Sequence, residues 1–327
     1  MADTPFGRLL AAVVTPFTPD GHLDLGALER HVDRLVSAGV DGLVVAGTTG
    51  ESAALGADER SDVVRVATSV AAGRARVVSG TGEHDTTSAI EAARAGVRAG
   101  ADAVLAPTPA YVRPSQAGVL AHLRAVADAA DVPVMLYDNP RRSGVGLELA
   151  TLERAAAHPN VCAIKDATDD LSRAADILGM LELAYFAGSD VAALPTLALG
   201  GTGLVGVAAN VAPEEYRQLL DAVSAGDLRA AALAHHRLEP LVRALNRHVP
   251  PAVATKVVLR GLGLLPCARV RLPLVGPDAA EVVAIRRDLE RYAPLPEVRA
   301  GLVRLDHPDA LGGALSWPEG APSAVAV

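Results

Sequence analysis

Lysine is scarce in this chain of 327 residues, because only Lys165 and Lys256 occur among its 30 lysines and arginines. Lys165 follows the apolar run Val161–Ile164, and we expect it to end a buried strand. An arginine stays charged and is a poor nucleophile, whereas a buried lysine can lose its proton because desolvation lowers its pKa. The neutral amine can then form a Schiff base with a carbonyl compound. The alternative is a lysine that pairs with Asp166 or with a carboxylate on a neighbouring loop.

A second candidate is the turn at residues 47–51, which reads Gly-Thr-Thr-Gly-Glu and joins a predicted strand to a predicted helix. Its backbone amides and the hydroxyls of Thr48 and Thr49 could hold a small carboxylate, because a helix N-terminus favours anions. An ordinary capped turn is the alternative. No lysine follows the turn, so we predict no Walker A loop and no nucleotide binding.

Tyr137 and Arg142 are the remaining candidates. Tyr137 ends the predicted strand before that of Lys165, so the two side chains could meet, although a core tyrosine is the alternative. Arg142 could receive a substrate carboxylate in a bidentate fork, or it could simply lie on the surface. The histidines show no ligand spacing, no GxSxG pattern occurs, and Cys162 and Cys267 form no CxxC pair, so we predict no metal site.

These residues follow short apolar runs that alternate with amphipathic, alanine-rich segments. The runs predict eight strands, at Leu9–Val14, Gly42–Val45, Arg76–Ser79, Ala103–Ala106, Val134–Tyr137, Val161–Lys165, Ala184–Ala187 and Gly203–Val207. One helix fits each gap, for example Leu25–Ala38, Ala57–Ala72, Thr86–Ala99 and Ser115–Ala129. Eight such units in about 200 residues predict an α/β fold of the closed (β/α)8 TIM-barrel type, with the active site at the C-terminal strand ends. An open doubly wound sheet is the alternative, but no GxGxxG follows the first strand.

We predict three segments: the barrel over 1–212, a C-terminal helical extension over 213–293, and a Pro/Gly/Ala-rich tail over 294–327. In the extension, helices are predicted at Glu214–Ser224, Leu228–Asn246, Ala252–Leu262 and Asp278–Arg291. We expect Lys256 to brace this extension. We expect the tail to be irregular or partly disordered, although its Trp317 could dock on a surface.

Composition limits the classes of function. The net charge is −8, and acidic and basic residues are interspersed, which argues against a nucleic-acid partner. No run approaches the roughly 18 apolar residues of a membrane span, so we predict no membrane partner. The N-terminal stretch lacks a charged n-region and contains prolines, unlike a signal peptide. With only two cysteines, the chain fits a reducing cytoplasm.

Together these residues resemble a known family, the dihydrodipicolinate synthase / N-acetylneuraminate lyase family of pyruvate-dependent class I aldolases. The resemblance covers about residues 6–274 and is strongest to the synthase subgroup. Its strongest motifs are LVVAGTTGESAALGADE and the pair YDNPRRSG and VCAIKDAT. Supporting matches are TPAYVRPSQAG, AGSD, GTGLVGVAANV and RLPL.

The resemblance implies a role for each catalytic residue. Lys165 matches the Schiff-base lysine, and Tyr137 matches the tyrosine that relays protons. Thr48 matches the threonine that links this tyrosine to a second tyrosine. Tyr111 matches that second tyrosine. In the family the neighbouring subunit provides this second tyrosine, so a working site implies a homo-oligomer, at least a dimer and usually a tetramer.

The resemblance also implies the substrates. Thr49 matches the residue that binds the pyruvate carboxylate, and Val205 matches a residue whose carbonyl lines the site. Gly188, in the AGSD match, is also expected to be a substrate-binding residue. Arg142 matches the arginine that holds the carboxylate of the aldehyde in the synthase subgroup. That aldehyde is L-aspartate semialdehyde, the product is 4-hydroxy-tetrahydrodipicolinate on the route to lysine and diaminopimelate, and no metal or organic cofactor is needed.

Two departures from the family pattern keep other functions open. Ala110 replaces the first of two adjacent tyrosines, and Asp138 replaces the asparagine of the usual Tyr-Asn pair. A paralogous pyruvate aldolase or dehydratase acting on another aldehyde or on a 2-keto-3-deoxy sugar acid therefore remains an alternative. A non-catalytic barrel that binds a small acid is a further alternative, disfavoured by the intact Lys165 and tyrosines.

Feedback by lysine is expected to be absent. Lysine-inhibited members bind the inhibitor with a glutamate on the helix after the third strand and with the first tyrosine. Here these positions hold Ser88 and Ala110, with His84 nearby. We therefore expect free lysine to leave the activity unchanged, and half-maximal inhibition below millimolar lysine in a steady-state assay would contradict this.

Overall fold

The computed structural model describes residues 4–292, and its centre is a closed barrel of eight parallel strands. Each strand pairs with the next along the chain, and β8 closes the barrel against β1. The strands are β1 Leu9–Ala12, β2 Gly42–Val45, β3 Arg76–Gly80, β4 Ala103–Pro107, β5 Val134–Asp138, β6 Val161–Asp166, β7 Ala184–Ala187 and β8 Gly203–Gly206. The predicted TIM-barrel fold is confirmed, with strand ends within two residues of expectation.

Helices cover the outside of the barrel. They are α1 Leu25–Ser37, α2 Ala57–Ala71, α3 Thr86–Arg98, α4 Gln116–Ala129, α5 Pro140–Ser143, α6 Leu149–Ala156, α7 Leu171–Met180 and α8 Ala193–Ala198. Several begin at an aspartate whose carboxylate accepts a hydrogen bond from a backbone N–H of the first turn. Asp24 caps α1, Asp85 caps α3 and Asp170 caps α7 in this way. Such caps satisfy donors that have no partner inside the helix.

Two apolar layers result from the alternation of side chains along the strands. Met135, Tyr137 and Ala163 point into the barrel, where they pack with Leu10, Phe186 and other buried residues. Leu136 and Ile164, one position along, pack outward against the helices. The interior layer is built largely from small aliphatic side chains, as the low aromatic content requires.

Four further helices form the predicted C-terminal extension: α9 Pro213–Ser224, α10 Leu228–Asn246, α11 Pro251–Gly261 and α12 Ala279–Tyr292. Helix α10 packs against α9 and α12, and α9 contacts β1. Lys256, on α11, is fully buried and reaches Glu51 after β2, so its predicted bracing role is confirmed. The predicted tail, including Trp317, lies outside the described residues.

Two kinds of feature are absent from the described part of the chain. Over residues 4–292, none of the helices has the length and apolar character needed to cross a bilayer. In the same range, no three His, Cys, Asp or Glu residues are grouped so that they could hold a metal ion.

Candidate active site

Lys165 and Tyr137 lie side by side at the C-terminal ends of β6 and β5. They are register partners in the parallel ladder between these strands. The Lys165 Nζ is 4.5 Å from the centre of the Tyr137 ring, and only 6% and 8% of the two residues are exposed. The Tyr137 hydroxyl accepts a hydrogen bond from Asn139 Nδ2 at 3.0 Å. A nucleophilic amine and a phenol, the pair needed for imine chemistry, therefore share one nearly closed space.

Asp166 does not pair with Lys165. Its side chain leaves the opposite face of β6, where its Oδ2 accepts a hydrogen bond from Arg173 Nε at 3.1 Å. The same guanidinium donates from Nη2 to Asp138 Oδ2 at 3.0 Å. Among residues 4–292, Lys165 forms no ion pair. The alternative of a lysine engaged by a neighbouring carboxylate is therefore wrong for Asp166.

Asp138 is a buried carboxyl directly after Tyr137. Its Oδ2 also accepts a hydrogen bond from the Leu147 N–H at 3.1 Å, while its buried Oδ1 has no partner within the described residues. Burial raises the pKa of Asp138 to about 6, with the charge of Asp166 adding to the rise, while the Leu147 N–H and Arg173 oppose it. The Arg173 guanidinium thus links the ends of β5 and β6 on their outer face, through Asp138 and Asp166.

The Gly47–Glu51 turn leads into a short 3-10 helix, Ser52–Ala54, and α2 begins only at Ala57. The predicted start of α2 at Ala57 is confirmed, but the 3-10 helix separates it from the turn, so the dipole of α2 contributes little to anion binding here. Thr48 is exposed and Thr49 is half-buried. Thr15 Oγ1 donates to the Gly50 carbonyl at 2.7 Å and ties the turn to the chain after β1. The donors available to an anion are therefore the hydroxyls and backbone amides of the turn itself.

Tyr111 is 86% exposed and forms no hydrogen bond with Tyr137 within the described chain. Its φ of +71° lies in the left-handed region, which a bulky side chain rarely adopts. The backbone is held there because the Tyr111 N–H donates to the Ser143 carbonyl at 3.2 Å. The Tyr137 hydroxyl is bonded to Asn139, and no hydrogen bond joins Thr48 to either tyrosine among residues 4–292. The structure of one chain therefore leaves the proposed tyrosine–threonine–tyrosine relay unassembled.

Arg142 is exposed on the short helix α5, beside the strand end that carries Tyr137. Its neighbour Arg141 is engaged, because it donates to Asp169 Oδ2 at 2.6 Å and to the Ala167 carbonyl at 3.3 Å. The Arg142 guanidinium has no partner within residues 4–292, so it is available to an incoming anion.

Val205 and Gly188 occupy different surroundings. Val205, on β8, is fully buried in the same interior layer as Tyr137. Gly188 follows β7, and a Cβ there would approach the Asp166 carbonyl oxygen to 2.8 Å. Its N–H also donates to that carbonyl at 2.7 Å. The glycine is therefore required by the close approach of two loops, beside the strand end that carries Lys165.

Sequence reasoning missed three residues next to the site: Asn139, Arg173 and Glu51. Asn139 and Glu51 stand inside motifs that were recognised, so their positions, although not their partners, could have been noted. Arg173 lies in α7 with no signal in its neighbours, because its role depends on two carboxylates that follow two different strands.

Comparisons with known proteins show which family the chain resembles. A model of the dihydrodipicolinate synthetase family matches residues 5–291. The 4-hydroxy-tetrahydrodipicolinate synthase of Kineococcus radiotolerans is 44% identical over 294 residues, 89% of this chain and 96% of that protein. The 4-hydroxy-tetrahydrodipicolinate synthase 1 of Streptomyces coelicolor is 46% identical over 275 residues, 84% of this chain and 90% of that protein.

Solved structures show the same likeness. Dihydrodipicolinate synthase from Aquifex aeolicus superposes with a TM-score of 0.85 at 33% identity, covering 89% of this chain and 100% of that one. The enzyme from Cyanidioschyzon merolae, solved with lysine bound, gives a TM-score of 0.86 at 36% identity, covering 90% and 100%.

Replacing Asp138 with asparagine tests the charge cluster behind the site. Folding raises the pKa of this carboxyl from 3.8 to about 6, so the folded state keeps the proton longer and the wild type loses stability as pH rises through this window. Asp138→Asn lacks this loss. Its free energy of unfolding in urea, relative to wild type, should therefore rise by about 1–3 kcal/mol between about pH 4 and pH 7.

Asp176→Asn is the matched control, because Asp176 is exposed on α7. Its free energy of unfolding relative to wild type should stay nearly constant over the same range. An equally constant difference for Asp138→Asn would contradict the assignment.

Proposed function

The chain belongs to the dihydrodipicolinate synthetase family, and from this premise we propose that it condenses pyruvate with L-aspartate semialdehyde. The product is 4-hydroxy-tetrahydrodipicolinate, a precursor of lysine and diaminopimelate. The curated relatives with 41–46% identity are 4-hydroxy-tetrahydrodipicolinate synthases. The observation that carries the proposal is the buried Lys165 beside Tyr137 at the barrel mouth, without an ion pair among residues 4–292.

Lys165 is the nucleophile of the proposed reaction. Its neutral amine attacks the ketone carbon of pyruvate, and loss of water gives an imine. The imine then loses a proton from the methyl group and becomes an enamine. The enamine carbon attacks the aldehyde carbonyl, whose oxygen takes up a proton, and forms the new carbon–carbon bond. The amino group of the aldehyde substrate then attacks the imine carbon, which closes the ring, expels the Lys165 amine and gives the product. Because the imine itself is the electron sink, the mechanism draws on no metal or organic cofactor.

Tyr137 moves the protons in this scheme. Its ring lies against the Lys165 amine, so the phenol is placed to donate to the oxygen that leaves as water and to recover a proton later. Thr48 and Tyr111 extend the relay toward solvent. Because Tyr111 is exposed and forms no hydrogen bond with its own Tyr137 among residues 4–292, we propose that the neighbouring subunit provides this tyrosine.

Substrate binding divides between the two sides of the barrel mouth. Thr49, in the turn after β2, binds the pyruvate carboxylate, and the Val205 carbonyl and the loop at Gly188 border the same space. Arg142 binds the carboxylate of the aldehyde, which is consistent with its exposed guanidinium, unpaired among residues 4–292.

The proposed assembly and location follow from the same residues. We propose a homo-oligomer, a dimer or a tetramer, because each site needs Tyr111 from a partner subunit. The strained backbone at Tyr111 fits a residue whose conformation serves a shared site. The two cysteines are unpaired thiols, which suits a cytoplasmic enzyme.

An assay with pyruvate and a panel of aldehydes tests the substrate. Aspartate semialdehyde should give the highest kcat/KM. Arg142→Ala should raise the KM for this aldehyde roughly ten- to a hundredfold, because a hydrogen bond to a charged group contributes about 1.5–3 kcal/mol. The KM for pyruvate should not change.

The matched control is Arg94→Ala, which removes one exposed arginine from α3, away from the site. It should leave both KM values unchanged. Faster turnover of another aldehyde, or an Arg142→Ala variant with an unchanged aldehyde KM, would contradict the proposed specificity.

Complementation tests the shared site. Lys165→Arg and Tyr111→Phe should each be nearly inactive alone. In a mixed dimer, the Tyr111→Phe subunit keeps its own Lys165 and receives Tyr111 from its partner, so one site is complete. Mixed oligomers isolated through two affinity tags should recover up to about half of the wild-type activity per dimer.

If Tyr111 served its own subunit, both sites of the mixed dimer would carry a defect. Mixed oligomers no more active than either variant would therefore contradict the shared site. Lys165→Arg mixed with the wild type is the control for subunit exchange.

A further inference from the structure

Lys256 and Glu51 form a buried ion pair that links the extension to the turn after β2. The Lys256 Nζ donates to the Glu51 carboxylate and to the Arg269 carbonyl, the latter at 2.9 Å. Lys256 is 0% exposed and Glu51 is 4% exposed. The other Glu51 oxygen accepts the Arg271 N–H at 2.9 Å, so the carboxylate is held on both oxygens.

The pair also packs against an aromatic ring. The Lys256 Nζ lies 4.1 Å from the centre of the Phe17 ring, and the Arg271 guanidinium lies 4.4 Å from the same centre. Burial lowers the pKa of Lys256 to about 8, while the charge and hydrogen bond of Glu51 raise it. Lys256 is therefore still mostly protonated near neutral pH. Its compact ammonium fits the buried position beside the Phe17 ring.

Glu51 is the last residue of the Gly47–Glu51 turn and fixes its shape. Its φ is +56°, in the left-handed region that a glutamate rarely adopts. Its N–H donates to the Thr48 carbonyl at 3.1 Å, which closes the turn around Thr48 and Thr49. Such a conformation persists only when neighbouring groups hold it. Here Lys256 and Arg271 do so, because both donate hydrogen bonds to the Glu51 carboxylate.

Glu51 belongs to the same short turn as the proposed site for an anion. Thr49, two residues earlier, is the proposed ligand of the pyruvate carboxylate. A buried glutamate without a counterion would repel that carboxylate, because little water screens it. Lys256 cancels this charge and, from a distant part of the sequence, holds the turn in place.

We propose that Lys256 and Glu51 are positioning residues for pyruvate, which fix the Gly47–Glu51 turn and keep its surroundings electrically neutral. The inference rests on the proposed function, because it takes Thr49 as the ligand of pyruvate. It assigns the extension a part in substrate binding, although none of its residues is proposed to touch substrate.

The test is the pyruvate concentration that gives half-maximal trapping by borohydride, followed by intact-protein mass spectrometry. Lys256→Met should raise this concentration by about tenfold or more, because breaking a buried pair leaves an uncompensated charge. In steady state the KM for pyruvate should rise likewise, and the KM for the aldehyde should not. Arg260→Met, one turn further along α11, is the matched control and should match the wild type.

The double variant Glu51→Gln with Lys256→Met separates charge from packing. It removes both charges, so half-saturation should return to within about threefold of the wild type. A double variant as defective as Lys256→Met, or a Lys256→Met variant with wild-type half-saturation, would overturn the inference. If Lys256→Met does not fold, the double variant decides alone by the same criterion.

The wild-type protein separates this inference from the proposed function. A wild type that forms no reducible adduct with pyruvate would remove the proposed function and the inference together. If the wild type forms the reducible adduct but the Lys256→Met and double variants do not show the expected half-saturation, only the inference is overturned and the proposed function stands.

Discussion

The register between β5 and β6 is the constraint on which the site depends. It places Tyr137 opposite Lys165 inside the barrel and Asp138 opposite Asp166 outside it. Because side chains alternate along a strand, a shift of β6 by one residue could place Asp166 opposite Tyr137 inside the barrel and turn Lys165 outward. The carboxylate next to Lys165 in sequence is therefore kept from its amine by the sheet itself. Arg173, on α7, donates hydrogen bonds to both outward carboxylates, so neither of them is paired with Lys165.

The same constraint explains what the sequence could predict. Apolar runs identify the strands of a barrel because these strands are buried on both faces. Lys165 was recognisable because it ends such a run in a chain that uses arginine almost everywhere else. The alternation of side chains then follows from the strand assignment, and it already separates Lys165 from Asp166.

Contacts between distant segments could not be predicted in this way. Lys256 meets Glu51 across 205 residues, and no local pattern in α11 names its partner. The turn after β2 was expected to lie at a helix N-terminus, and α2 does begin at Ala57 as predicted, but the 3-10 helix Ser52–Ala54 that separates them was not foreseen. The positive φ of Tyr111 depends on its hydrogen bond to Ser143, which follows a different strand. The barrel thus fixes the Lys165–Tyr137 pair, while the turn after β2 and the loop at Tyr111 are held by contacts that no local pattern predicts.

The most direct test of the central claim uses the scarcity of lysine in this chain. The wild-type protein is incubated with pyruvate, reduced with borohydride and digested, and the adduct is located by mass spectrometry. Our account predicts an adduct on Lys165 and none on Lys256, and no adduct in Lys165→Arg. An unmodified wild type, or an adduct that persists in Lys165→Arg, would contradict the account.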